Sequence, residues 1–143
     1  MKLFITMLLA LSGYLHADTI TGWEIVGNNS TDKAIYQMKS TVEHYPYALL
    51  VNSNVSEEQI TGKIIAVYKG ELNLSRDIQC EAPKNLFEVQ EQNNEYLSEM
   101  FVLCKSVTID NNGIYVLQDT IVIPRTRTPF LPEIALRRAL QLP

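Results

Sequence analysis

Histidine and cysteine are nearly absent from this chain. Its 143 residues hold two of each: His16 and His44, Cys80 and Cys104. Beyond Ala17, a nucleophile–histidine–acid set has only His44 to draw on. Two thiols and one imidazole leave a tetrahedral zinc site one ligand short. The cysteines are also too far apart for a Cys-x-x-Cys redox motif. There is no Gly-x-Ser-x-Gly elbow, and no glycine-rich loop to cradle phosphate. Past the N-terminus no apolar run approaches the ~20 residues of a bilayer span. Repeats and low-complexity segments are missing as well. These gaps remove the usual signatures of catalysis and cofactor binding, so the sequence implies no cofactor and no metal.

The stretch from Met1 to Ala17 stands apart from the rest. Lys2 supplies a positive end, Leu3 to Leu11 an apolar run broken only by Thr6, and Leu15-His16-Ala17 a cleavage triplet. This is the pattern of a cleavable secretory signal, too short for a membrane anchor. With a single lysine it is of bacterial type, and it implies a periplasmic or extracellular location. No cysteine follows the run to accept a lipid. The expected mature chain, Asp18 to Pro143, has the size of one small globular domain.

That chain is acidic. All 16 Asp and Glu fall within it against 11 of the 12 Lys and Arg, a net charge of −5. A nucleic acid or an anionic membrane would need a basic surface, so neither is an expected partner. The charge is uneven: residues 18–119 carry −8, while residues 120–143 carry +3 from Arg125, Arg127, Arg137 and Arg138 against Glu133. These arginines either neutralise the acidic body or form a small patch for an anion or a partner. Two residues apart on an extended stretch, Arg125 and Arg127 would point the same way and suit an anion clamp. The second candidate contact is Glu43-His44-Tyr45-Pro46-Tyr47, where His44, Tyr45 and Tyr47 gather beside an acid. An even cysteine count in an exported chain predicts a disulfide between Cys80 and Cys104. Asn28, Asn29, Asn54 and Asn73 each begin an Asn-x-Ser/Thr triplet and mark surface turns.

Hydrophobic periodicity predicts a β-rich domain. Trp23–Val26 reads as a strand, followed by a turn at residues 27–32. Residues 34–42 alternate, with Ala34, Tyr36, Met38 and Val42 on one face, and predict a half-buried strand ended by Pro46. Strands follow at Tyr47–Val51, Ile60–Leu72, around Cys80, and at Leu86–Val89, with a turn at Asn52–Asn54. Ser56-Glu57-Glu58-Gln59 has capping-box spacing, though the β-branched residues after Gly62 favour a strand. Residues 90–95 are wholly polar and read as loop. The sharpest signal is Met100–Ile109, then Asp110-Asn111-Asn112-Gly113, then Ile114–Ile123: a hairpin whose second strand is apolar on both faces and therefore covered on both. Pro124–Pro129 is extended. Pro132 opens a helix with an apolar stripe of Leu131, Ile134, Ala135, Ala139 and Leu142. The expectation is a mainly β or α+β domain: an antiparallel sheet, sandwich or partial barrel with a C-terminal amphipathic helix.

Three function classes fit these features. The leading one is an exported, non-catalytic interaction protein, such as an inhibitor, an immunity protein or an envelope accessory factor, whose partner is another protein. A hydrolase using carboxylates such as Glu88, Glu91, Glu95 and Glu99 is the second. The third is a β-cavity carrier of a small apolar ligand.

Overall fold

The computed structural model describes residues 31–83, 86, 99–125 and 131–143. The leader, the Trp23–Val26 strand, the polar loop at 90–95, most of the 86–89 strand and Arg127 lie outside these residues. Helix α1 (Thr31–Glu43) leads into strands β1 (Tyr47–Val55), β2 (Gln59–Lys69), β3 (Asp77–Glu81), β4 (Glu99–Ile109) and β5 (Tyr115–Pro124), and helix α2 (Leu131–Ala139) follows. The expected β-rich fold with a C-terminal helix is present, and the sheet goes further than a partial barrel. It closes in the order β1–β2–β3–β5–β4, with β4 returning to β1. Every pairing is antiparallel except β3 with β5.

Strand alternation divides the apolar residues into two cores. One set turns into the barrel and fills it: Leu49, Val51, Ile60, Ile64, Ile78, Met100, Val102, Leu117 and Val122, with both cysteines. Even eight strands enclose an interior just wide enough for side chains, so five leave none to spare. The other set turns outward from β1, β4 and β5. Ala48, Leu50, Phe101, Leu103, Ile121 and Ile123 form a face covered by Ala34, Met38 and Val42 of α1 and Ala135 and Leu136 of α2. This explains the strand read as apolar on both faces: β5 serves both cores.

Residues 34–42 are helical, which corrects the strand expected there. Ala34, Met38 and Val42 are four apart, and multiples of four satisfy a period of two as well as of 3.6. Tyr36 separates the two. On a strand it would share their face, whereas here it is 76% exposed. The helix ends where the Lys69 ammonium donates to the Val42 carbonyl at 2.6 Å. That places a cation on the negative end of the dipole. Asn52–Asn54, expected as a turn, continues β1; the turn comes at Ser56, whose hydroxyl accepts from the Gln59 N–H at 3.1 Å. Asn54 is thus an exposed strand residue and Asn73 an exposed loop residue.

The β4–β5 hairpin is present as expected, with a different turn. Of its residues only Gly113 has positive φ, at 80°. The Asp110 carboxylate accepts from the N–H groups of Asn112 and Ile114 at 2.8 and 3.0 Å. These bonds stabilise a turn closed by one left-handed glycine. Arg76 fastens the 70–76 loop to this turn. Its Nε donates to the Gly113 carbonyl at 2.8 Å. Its guanidinium sits 4.6 Å over the Tyr115 ring, where the ring face attracts a cation.

Helix α2 keeps Leu131, Ala135 and Ala139 of its expected stripe on the outer core, with Leu142 just past its end, and departs from it at Ile134 and Leu136. Pro132, Glu133, Ala135 and Leu136 are buried, while Ile134 is only half-buried. Packing against both α1 and the sheet demands a wide face, and it draws in Leu136 and the Glu133 carboxylate, which meets Arg137 Nε at 3.3 Å.

Candidate functional site

The seam between β3 and β5 is the least completed part of the barrel. It is zipped at two positions, Ile78 with Tyr115 and Gln79 with Val116. Two local features stop it there. Pro83 has no N–H to offer a ladder, and β3 ends two residues before it. On the other side Asp119 takes a left-handed conformation with φ at 54°. A short polar side chain tolerates that region. Asp119 also breaks the alternation of β5: Leu117 before it and Val122 after it both face the interior, an odd number of residues apart.

The strands diverge beyond Gln79 and Val116 and leave an open groove of about 510 Å³. Its rim carries Glu58, Glu81 and Asp119, all exposed, and no lysine or arginine lines it among the described residues. Its sides are Gln59, Gln79, Val116 and Gln118; Cys80, Leu117 and Thr120 reach it from the barrel interior. Thr120 is only 3% exposed. The facing edges of Cys80–Glu81 and Leu117–Thr120 carry no ladder between them among the described residues.

The cysteines are buried and unbonded, which corrects the expected disulfide. They sit on β3 and β4, which are not neighbours: β5 runs between them, and each is held in register by another strand, Cys80 opposite Ile60 and Cys104 opposite Thr120. Burial pushes the Cys80 thiol up to about 12, with Glu81 adding to the effect. Burial likewise raises Cys104 to about 12, and the neighbouring Cys80 adds to it. Both therefore stay protonated at neutral pH and are poor nucleophiles and metal ligands. Among the described residues no three His, Cys, Asp or Glu side chains gather to hold a metal ion, and no helix is long and apolar enough to cross a membrane.

The residues singled out from the sequence do not converge. His44 is exposed, with Nδ1 at 2.7 Å from the Ser40 carbonyl. Tyr45 packs on the helix side beneath the Lys105 ammonium, 5.2 Å from its ring, and Tyr47 turns toward the barrel interior. Arg125 pairs with Glu99 at 2.8 Å and Arg137 with Glu133, whereas Arg138 is exposed on α2. Arg125 thus pairs within the fold, and so does Glu99 of the four suggested carboxylates; Glu88, Glu91 and Glu95 lie outside the described residues. A second hollow, of about 460 Å³, includes Asn52, Gly62 and Ile65 and is bridged by the Lys63–Asp77 ion pair at 2.8 Å. Sequence reading missed Glu58, Glu81, Asp119 and Thr120. Only Pro83 and the shortness of the strand before it pointed toward them.

No known family model matches the sequence, and a search of curated proteins finds no match either.

Proposed function

We propose that this chain is an exported, non-catalytic protein that acts by binding another protein. The observation behind the reading is the β3–β5 groove, where a sheet leaves strand edges open under an acidic rim. An open strand edge is a ready template for another chain. The N-terminal pattern supports export, and the acidic balance of the chain favours a basic protein surface over nucleic acid or anionic lipid. The filled barrel interior argues against an apolar-ligand carrier, and the buried, protonated thiols against nucleophilic chemistry.

Photo-cross-linking tests the binding role. A photoreactive amino acid at Gln118, on the groove, should capture a protein in the native compartment, while the same group at exposed Tyr36 on α1 should not. Equal capture from both positions, or none from any groove position, overturns the reading. The mass of the protein from that compartment should place its first residue at Asp18; a retained N-terminus overturns export by cleavage.

A further inference from the structure

We infer that the partner is recognised through an extended, basic segment that adds as a strand to the edge of β5 in the groove. This deepens the binding role proposed above and rests on it.

Two independent features choose this occupant. First, the opening is a break in a β ladder, so the groups it presents are main-chain donors and acceptors at strand spacing. Another extended backbone matches such a row group for group. Second, Glu58, Glu81 and Asp119 line the rim, with no base among the described lining residues. Such a rim selects positive charge and repels an acidic chain.

Length and pattern follow from the geometry. From Val116 to Thr120 the edge runs about 13 Å at a rise of ~3.3 Å per residue, room for about four or five residues of a partner. Alternate side chains of that strand would face opposite ways. Small or β-branched residues turned toward Leu117 and Thr120 would alternate with lysine or arginine turned to the rim. The rim charges are exposed, so they steer and orient the segment more than they hold it, and binding weakens with salt.

The test uses the chain from Asp18 to Pro143 and a short synthetic peptide alternating lysine and valine. Amide NMR titration at low salt should give saturable shifts confined to Cys80–Glu81 and Leu117–Thr120. Methylating the peptide's alternate main-chain nitrogens on the edge facing β5 should weaken binding at least tenfold. The double variant Glu58→Lys with Glu81→Lys, checked for folding by circular dichroism, should do the same. Equal binding of an alternating glutamate–valine peptide overturns the charge assignment, and indifference to methylation overturns strand addition. Shifts on another face, or none, overturn the whole inference. If Gln118 still cross-links a partner that the basic peptide does not displace, the binding role stands and this mode of recognition falls. If Gln118 captures nothing, the binding role itself has failed.

Discussion

Replacing Leu136 and Ile134 by alanine, one at a time, asks which face of α2 carries the outer core. The two residues are close in size and two positions apart on the same helix, so the helical propensity gained with alanine is small in both. Their surroundings differ. Leu136 is fully buried among Ala34, Met38 and Val42 of α1 and the outward side chains of β1, β4 and β5. Ile134 is half-buried and stands outside that cluster. Truncating a fully buried leucine costs about 2–5 kcal/mol, the upper end applying where neighbours cannot close the cavity. Here the site is bounded by two helices and a closed barrel, which favours the upper half of that range. For Ile134 only part of the side chain leaves water on folding, so the loss should be about 1 kcal/mol or less.

Urea unfolding followed by far-ultraviolet circular dichroism separates these values. With a slope of about 2 kcal/mol per molar urea, a loss of ~3 kcal/mol moves the midpoint by about 1.5 M, and one of ~1 kcal/mol by about 0.5 M. A domain with a total stability of about 5–15 kcal/mol would remain folded in both variants unless it lies at the bottom of that range. If Ile134→Ala proves as damaging as Leu136→Ala, the helix presents the Ile134 stripe instead and Leu136 is not its buried anchor.

The remaining predictions concern the barrel and its surface. In Gly62→Ala the new Cβ would run into the main-chain carbonyl of Asn52 on β1, which cannot yield as a side-chain end would. Overpacking of that kind costs about 1–3 kcal/mol; a neutral result would show that β1 and β2 do not approach so closely. Without reductant, the folded chain should react slowly with a thiol reagent at pH 8 and yield two thiols on denaturation, whereas none on denaturation would restore the disulfide. Both thiols are raised by burial from 9.0 to about 12, so the fold favours the protonated form. Their contribution is complete below about pH 9 and is lost as pH climbs toward 12, each thiol steepening the decline by about 1.4 kcal/mol per unit. Cys104→Ala should flatten that alkaline slope, and an unchanged slope would assign it to other groups. The Arg125–Glu99 pair is about two-fifths exposed on each side. A double-mutant cycle should find a coupling of about 1 kcal/mol or less.

What the sequence could reveal depended on how local the cause was. The β4–β5 hairpin was legible because its turn residues and both flanking apolar runs lie within one stretch of chain. Helix α2 was legible as a helix, since Pro132 and the arginines of its last turn carry their positions in themselves. Its orientation was legible in part: Leu131, Ala135 and Ala139 face the core as read, but buried Glu133 and Leu136 were missed, since a carboxylate paired with Arg137 one turn on reads as an outward residue. Helix α1 was hidden by arithmetic: spacing of four serves both periods, and only the exposure of Tyr36, a tertiary fact, decides between them.

The groove lies at the far end of this scale. Its walls belong to β3 and β5, whose parallel pairing requires a long crossover and cannot be read from either strand alone. Each strand nevertheless carries the reason for its own departure. Pro83 stops β3 while β5 still has several residues to run, and Asp119 turns β5 at the point where the ladder would have continued. A closed barrel removes sheet edges that would otherwise recruit other chains. Among the described residues the β3–β5 seam has the fewest paired positions, and its incomplete stretch is the one with carboxylates around it and a buried threonine in its wall. Valine in place of Thr120 would fill the same space in that wall and remove only the hydroxyl that an incoming strand could meet. The threonine is therefore the residue on which the structural and recognition readings part. Urea midpoints and the peptide titration, run on Thr120→Val, separate them. The change should hold or raise stability and leave peptide affinity untouched if the groove is only a packing fault. If the groove is a strand-binding edge, it should leave the fold intact and weaken the basic peptide.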